Sequence, residues 1–88
     1  MEIVFLPQAK QDLEFLIKTG NKSLIKKIAQ LTESILASPY QGIGKPEALK
    51  HQLTGKWSRR ITDEHRFIYQ IENNILKVYS LRGHYTKS

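Results

Sequence analysis

Glutamate, histidine and arginine in the second half of this chain are residue types that could break a phosphodiester bond of RNA. The ribose 2′-hydroxyl is a nucleophile that already lies beside the scissile phosphate. A protein must then supply a base for that hydroxyl, an acid for the leaving 5′ oxygen, and positive charge for the phosphorus centre. Glutamate, histidine and arginine can fill these three roles, and all three residue types occur in the basic second half of the chain.

The sequence carries none of the common motifs that bind a metal or a nucleotide cofactor. Its histidines, His51, His65 and His84, lack the helical i, i+4 spacing of metal ligands, and its carboxylates show no ligand cluster. A phosphate-binding glycine loop, a dinucleotide fingerprint and a nucleophile elbow are also absent. If the chain is an enzyme, we therefore expect acid–base catalysis with no metal and no other cofactor.

Positive charge is concentrated in the second half of the chain. The net charge is +6, with five lysines against four acidic residues in residues 1–40 and nine basic against four acidic residues in residues 41–88. A phosphate backbone is the natural counterpart of such a field. Many small domains are equally basic for solubility, so charge alone does not decide for a nucleic acid.

The length of 88 residues predicts a single domain that spans residues 1–88. The chain has no cysteine, which excludes a disulfide scaffold and a thiolate metal site. No apolar run approaches the length of a membrane span, and the first residues lack the basic region of a signal peptide. We therefore expect a cytoplasmic protein that makes no contact with a membrane.

The first half predicts a short strand followed by two amphipathic helices. Residues 2–6 are apolar and β-branched, Pro7 suits the first turn of a helix, and Gly20 ends that helix. A second helix ends before Pro39. Its apolar residues recur every three or four positions, which predicts a core-facing stripe of Leu24, Ile28, Leu31 and Ile35.

The second half predicts a loop over residues 40–47 and three strands. The strand candidates are residues 57–62, 65–72 and 75–82. Asn73-Asn74 joins the last two as a tight hairpin, because asparagine tolerates left-handed backbone angles.

Alternation along the hairpin assigns its two faces. An apolar side formed by Phe67, Tyr69, Ile71, Leu76 and Val78 should cover the helices. The other side carries Arg66 and Lys77 and must face solvent or a ligand. The predicted fold is α+β in the order β-α-α-β-β-β, with two N-terminal helices packed on one face of a twisted antiparallel sheet.

The motif-bearing segments resemble the YoeB-type toxins of the RelE superfamily. Residues 44–51, Gly-Lys-Pro-Glu-Ala-Leu-Lys-His, look like the central motif of that family. The similarity continues through Trp57 to Thr62, through Glu64-His65-Arg66, and to the closing His84-Tyr85 pair. The resemblance implies a RelE-like fold.

The same resemblance implies an endoribonuclease toxin, a messenger RNA interferase that depends on the ribosome. The expected products are a 2′,3′-cyclic phosphate and a 5′-hydroxyl, and the expected result is inhibition of translation. The implied partners are a cognate YefM-like antitoxin and the 70S ribosome with messenger RNA in its A site. A homodimer is also implied, and operator DNA is expected to bind only through the antitoxin complex.

Position by position, the resemblance assigns roles to the candidate site residues. Glu47 would be the general base and His84 the general acid, while Arg66 would stabilise the charge of the transition state. Tyr85 would orient the RNA or help to place His84, and its role stays open because Thr86-Lys87-Ser88 extends the chain beyond the family's usual ending. The expected contacts to RNA or phosphate are Lys45, Lys50 and Arg59.

Each of these residues also has a structural alternative. Glu47 could be a solvated loop residue, and Arg66 could pair with Asp63 or Glu64. Arg59 and Arg60 are adjacent on a strand, so at most one of them can point at RNA from a given face. Trp57 could stack on a base or be buried in an interface.

Two other functions remain as alternatives. The chain could be a non-catalytic toxin of the same fold that binds the ribosome or DNA gyrase. The joint presence of Glu47, Arg66 and His84 argues against the gyrase class, whose members lack this set. A DNA-binding repressor is the other alternative, and the sequence has no helix-turn-helix pattern to favour it.

Overall fold

The computed structural model describes residues 1–83 and consists of two helices and a five-stranded sheet. In chain order the elements are β1 (Glu2–Phe5), α1 (Pro7–Lys18), α2 (Lys22–Ala37), β2 (Glu47–Ala48), β3 (Trp57–Arg60), β4 (Arg66–Glu72) and β5 (Ile75–Ser80). A short 3-10 turn, His51–Leu53, lies between β2 and β3. The predicted order of elements is confirmed, and the two-residue strand β2 is an addition to it. The expected site residues His84 and Tyr85 lie outside the described residues.

The two helices form where the capping and apolar patterns predicted them. Pro7 occupies the first turn of α1, where its missing N–H costs no hydrogen bond. The side chain of Asn21 caps α2 by accepting a hydrogen bond from the backbone N–H of Leu24 at 3.1 Å. The predicted stripe of Leu24, Ile28, Leu31 and Ile35 is buried against the sheet. Neither helix within residues 1–83 is long and apolar enough to cross a membrane.

The sheet is mixed, because β1 runs parallel to its neighbour. The strand order is β1-β5-β4-β3-β2. The pairs β2–β3, β3–β4 and β4–β5 are antiparallel, whereas β1 pairs with β5 in parallel, from Glu2 opposite Ile75 to Phe5 opposite Val78. The prediction of a wholly antiparallel sheet is therefore wrong for β1. A parallel neighbour needs a long crossover connection, and all the other elements of the chain separate β1 from β5.

The hairpin of β4 and β5 has the predicted turn and the predicted faces. Asn73 and Asn74 have φ angles of 53° and 60°, as a two-residue type I′ turn requires. Phe67, Tyr69, Leu76 and Val78 are fully buried in the core beneath the helices. A β-bulge interrupts the pairing, since Ile68 lies opposite Ser80 while Tyr69 lies opposite Val78.

The positive φ angles of Asn73 and Asn74 predict how substitutions in the turn affect the stability of the protein. Because a β-branched side chain is strained at positive φ, Asn74→Val should lower the free energy of unfolding by about 1–2 kcal/mol. Asn74→Gly, the matched control, should retain or raise stability, since glycine adopts these angles freely. Urea denaturation of both variants measures the difference. Equal midpoints for the valine and glycine variants would contradict the assigned turn.

Candidate active site

Arg59 is fully buried, with 0% of its surface exposed. A guanidinium has five N–H donors, and here all five are used within the protein. The acceptors are the hydroxyl oxygens of Ser34 and Tyr69 and the carbonyl oxygens of Ser38, Gln41 and Ile43. The donor–acceptor distances lie between 2.6 and 3.2 Å, and all five acceptors are uncharged. Arg59 is therefore a structural residue.

The prediction that Arg59 contacts RNA is thus wrong. In the β3–β4 register Arg59 lies opposite Phe67, on the sheet face that the helices cover. Its neighbour Arg60 lies opposite Arg66 and is exposed. Because adjacent strand residues face opposite ways, only one of these two arginines can face a ligand from the outer side of the sheet. The exposed residue is Arg60.

The five hydrogen bonds of Arg59 fix the loop that connects α2 to β2. The Tyr69 hydroxyl strengthens this arrangement by donating to the carbonyl oxygen of Pro39 at 2.5 Å. At the end of the loop, the Arg60 N–H donates to the carbonyl oxygen of Gly44 at 2.6 Å. Gly42 has a φ of 119°, and a Cβ there would lie 3.1 Å from Arg59 Nη1 and closer still to Ser34 Oγ. The chain therefore enters β2 along a fixed path.

Strand β2 places Glu47 on the sheet face that points away from the helices. Glu47 lies opposite Ser58, and Ser58 lies opposite Ile68, so the three residues form a row across the sheet. Ala48 lies opposite Trp57, which packs against the core. Because side chains alternate along a strand, Glu47 is on the outer face. Its side chain is exposed.

Arg66 opens β4 on the same outer face, two residues before Ile68. Its Nη1 donates to the carbonyl oxygens of Thr62 at 2.6 Å and of Asp63 and His65 at 3.2 Å. The alternative pairing of Arg66 with a neighbouring carboxylate is absent among the ion pairs of residues 1–83. In that region Asp63 pairs with Arg60 at 3.9 Å, and Glu64 Oε1 lies 3.4 Å from His65 Nε2.

The register sets the spacing between the two candidate groups. Glu47 and Arg66 are two strands and two residues apart, which corresponds to roughly 12 Å between their Cα atoms. The structure brings these two predicted residues to the same outer face of the sheet. Between them, Ser58 and Ile68 are 3% and 5% exposed.

Lys45 and Lys50 flank β2 and are both exposed. Lys45 has a φ of 51°, a left-handed backbone that is uncommon for residues other than glycine. Such strain often accompanies functional segments and is maintained here by the fixed loop on one side and by Pro46 on the other. Both lysines are thus at the surface beside Glu47, where an anion could reach them.

Trp57 is half-buried and pairs with another aromatic ring of the same chain. Its ring centroid lies 4.7 Å from that of Tyr40, which is 49% exposed. The indole also packs against the core from the edge of the sheet. This intramolecular contact occupies part of the surface that base stacking or an interface would use.

The described chain ends beside Arg66. The Arg66 N–H donates to the carbonyl oxygen of Gly83 at 3.0 Å, and the Gly83 N–H donates to His65 Nδ1 at 2.9 Å. Gly83 immediately precedes His84 in the sequence, and His84 and Tyr85 themselves lie outside the described residues. Gly83 is thus fastened next to Arg66.

Sequence reasoning missed Asp12, which fastens the same segment from α1. Asp12 is 3% exposed, and its Oδ2 accepts the Leu81 N–H at 2.9 Å. Gln8 Nε2 donates to the other carboxylate oxygen at 2.9 Å. The signal was available in principle, because Asp12 lies three residues after Ala9 and four before Leu16 on the apolar face of α1. An acidic residue at such a position needs a buried partner.

Across residues 1–83 no group of three histidine or acidic side chains is arranged to hold a metal ion.

The chain was compared with known protein families and sequences. Residues 5–85 match the model of the YoeB-like toxin of bacterial type II toxin-antitoxin systems. The toxin YoeB of Escherichia coli strain K12 is 39% identical over 85 residues, which cover 97% of this chain and 100% of the relative.

Solved structures of similar proteins share the fold. A YoeB/ParE toxin from Agrobacterium tumefaciens matches with a TM-score of 0.92 and 39% identity, over 97% of this chain and 100% of that one. The YoeB dimer from Staphylococcus aureus matches with a TM-score of 0.86 and 43% identity, and the heterotetrameric YoeB-YefM complex from that organism with 0.85 and 43%. Both alignments cover 97% of this chain and 98% of the other.

Replacement of Arg59 tests its structural role. Arg59→Lys keeps the charge but supplies three donors where five acceptors are arranged, so it should lower the free energy of unfolding by about 2–4 kcal/mol. Arg60→Lys, at the exposed neighbouring position, should change stability by less than about 0.5 kcal/mol. Chemical denaturation measures both values. A stable Arg59→Lys variant would show that the loop does not depend on the guanidinium.

The buried hydroxyl of Tyr69 predicts how the free energy of unfolding depends on pH. Burial raises the pKa of its hydroxyl above the ordinary value of 10.0, and the hydrogen bond and charge of Arg59 offset part of that rise. The folded protein therefore retains this proton at pH values where the unfolded chain loses it. This contribution to stability is complete below about pH 10 and is lost as the pH rises through the folded pKa.

The stability of Tyr69→Phe should consequently fall less steeply above pH 10 than that of the wild type. At neutral pH the variant should be less stable by about 1–3 kcal/mol, because the Pro39 carbonyl and Arg59 Nε each lose a partner. Urea midpoints from pH 7 to pH 11 measure both effects. Parallel curves across this range would show that Tyr69 titrates as in the unfolded chain.

Proposed function

The chain belongs to the YoeB-like toxins of bacterial type II toxin-antitoxin systems, and from this premise we propose that it is a ribosome-dependent messenger RNA endoribonuclease that inhibits translation. The observation that carries the proposal is the placement of Glu47 and Arg66 on the same outer face of the sheet. Gly83, which is held beside Arg66, immediately precedes His84 in the sequence. We assign the roles of base, cation and acid to Glu47, Arg66 and His84.

In the proposed reaction the Glu47 carboxylate takes the proton of the ribose 2′-hydroxyl. The 2′ oxygen attacks phosphorus, the bond between phosphorus and the 5′ oxygen breaks, and His84 donates its proton to the leaving 5′ oxygen. Arg66 stabilises the negative charge on the non-bridging oxygens, since a guanidinium can donate two parallel hydrogen bonds to them. The products are a 2′,3′-cyclic phosphate and a 5′-hydroxyl. The scheme needs no cofactor.

Further residues beside this face are assigned to RNA binding. Lys45 and Lys50 are exposed on either side of Glu47 and would contact the scissile phosphate or its neighbours. Arg60 is exposed next to Arg66 in the register and could take the phosphate contact first assigned to Arg59. Tyr85 would orient the RNA or help to place His84.

The ribosome supplies the positioning that the protein lacks. The candidate groups Glu47 and Arg66 belong to separate strands, and the protein must hold a flexible RNA strand across both of them. A messenger RNA held in the A site of the 70S ribosome is already oriented, which lowers the entropic cost of reaction. The net charge of +6 favours binding to ribosomal RNA. This function would place the protein in the bacterial cytoplasm.

The proposed protein partner is a YefM-like antitoxin. A Staphylococcus aureus relative at 43% identity is described as a YoeB-YefM heterotetramer, and the same protein as a dimer. We extend both assemblies to this chain. Operator DNA would bind through the antitoxin complex only.

Primer extension on a defined messenger RNA with programmed 70S ribosomes tests the proposal. Wild-type protein should cut within the A-site codon and leave naked RNA largely intact. Glu47→Gln should reduce cleavage by about 10²–10⁴-fold, because a neutral amide cannot accept the proton. Glu33→Gln, which removes an exposed carboxylate on α2, is the matched control and should cut normally.

Three other outcomes would contradict the proposal. Inhibited translation without cleavage would favour a non-catalytic toxin that blocks the ribosome. Unchanged translation would favour a target such as DNA gyrase. Full cleavage by Glu47→Gln would remove Glu47 from the role of base.

A further inference from the structure

We propose that His65 is a positioning residue that holds the terminal segment in place through Nδ1, and that only the neutral imidazole can do so. The inference rests on the proposed function, in which the residue after Gly83 supplies the catalytic acid. His65 itself touches neither the substrate nor the reacting atoms in this scheme. Its role is to fix the last turn of the chain before His84.

The geometry around Gly83 carries the proposal. The Gly83 N–H donates to His65 Nδ1 at 2.9 Å, and the Gly83 carbonyl oxygen accepts the Arg66 N–H at 3.0 Å. Two consecutive residues thus hold both polar backbone groups of one glycine. An imidazole nitrogen accepts a hydrogen bond only when it carries no proton.

The other ring nitrogen is compatible with this tautomer. His65 Nε2 lies 3.4 Å from Glu64 Oε1, and the imidazole side chain is 15% exposed. A proton on Nε2 faces the carboxylate and leaves the lone pair of Nδ1 for Gly83. The hydrogen-bond network therefore selects the neutral ring with its proton on Nε2.

The backbone of His65 is itself fixed. Thr62 Oγ1 accepts the N–H groups of Glu64 and His65, both at 3.1 Å. The His65 carbonyl oxygen accepts the N–H groups of Ile61 at 3.0 Å and Thr62 at 3.2 Å. The ring therefore projects from an ordered loop, which makes it a suitable support for another segment.

Gly83 turns the chain at this point. Its φ is 76°, and a Cβ there would meet no atom within 4 Å. Glycine is thus favoured by its backbone angle and not by a lack of space. The hydrogen bond to His65 therefore holds the backbone of this turn, which immediately precedes His84 in the sequence.

Besides the Arg66 N–H, two other contacts hold the segment independently of the His65 ring. Asp12 accepts the Leu81 N–H, and the Arg82 guanidinium lies 3.5 Å from the centroid of the Phe15 ring. Loss of the His65 contact should therefore loosen the chain at Gly83 and leave the fold intact. This separates a positioning role from a general structural one.

Protonation of His65 would break the contact, since a protonated Nδ1 is a donor that faces the donor of Gly83. Asp63 and Glu64 line the cleft beside the ring. The cleft is otherwise lined by uncharged residues of α1, α2 and the turn between them, together with Thr62 on the His65 loop.

Two variants at this position give opposite results if the proposal is right. In His65→Asn the amide oxygen lies near the place of Nδ1 and can accept the Gly83 N–H without titrating. In His65→Gln the amide reaches towards the place of Nε2 instead. Single-turnover cleavage on saturating programmed ribosomes should stay within about threefold of wild type for asparagine and fall by about tenfold or more for glutamine.

A second measurement does not depend on cleavage. The hydrogen-exchange protection factor of the Gly83 amide, measured by NMR on the free protein, should be high in the wild type. It should be retained in His65→Asn and low in His65→Gln. Leu81, bonded to Asp12, is the internal control and should stay protected in all three proteins.

The two readouts separate the possible failures. A Gly83 amide that is unprotected in wild type, or equally protected in His65→Gln, overturns the role of His65 whatever the cleavage assay shows. Equal cleavage rates for the glutamine variant and wild type overturn it as well. A wild-type protein that protects Gly83 as expected but cuts no messenger RNA refutes the proposed function and leaves the anchoring of Gly83 established.

Discussion

The buried guanidinium of Arg59 determines how the outer face of the sheet is built. A charge in the protein interior is costly unless every donor finds an acceptor. Here the acceptors come from the end of α2, the following loop and β4, so this one group joins three parts of the chain. The loop has no regular structure of its own, and the guanidinium binds carbonyl oxygens that a helix or sheet would otherwise bind. The loop is therefore fixed where it enters β2, the strand that carries Glu47.

A second set of buried polar contacts acts at the other end of the site. Asp12 joins α1 to Leu81, and His65 and Arg66 join the start of β4 to Gly83. Both sets fasten segments that lack secondary structure to the same sheet. The core beneath it supplies the rigid support, while the polar contacts determine where the loop before β2 and the chain up to Gly83 lie. Glu47 and Arg66, which are distant in sequence, thereby lie on the same outer face of the sheet.

Local sequence patterns predicted the helices and strands, whereas the direction of β1 and the burial of Arg59 depend on long-range contacts. Helical periodicity, asparagine at the hairpin and alternation along β4 correctly gave the element order and put Arg66 on the outer face. A four-residue strand carries no sign of its direction, so the parallel pairing of β1 was missed. The burial of Arg59 depends on acceptors up to 25 residues away, which no local pattern encodes. The family resemblance gave roles to Glu47 and His84 that stay predictions.

The most direct test of the proposed chemistry is to remove the nucleophile from the substrate. A messenger RNA with a single 2′-deoxynucleotide at the scissile position of the A-site codon should bind the programmed ribosome normally, because only one hydroxyl is missing. This RNA should stay uncut, while the all-ribose RNA should yield a 2′,3′-cyclic phosphate and a 5′-hydroxyl at that position. Cleavage of the deoxy-substituted RNA at the same bond would contradict the proposed chemistry, because the attacking group would then come from elsewhere.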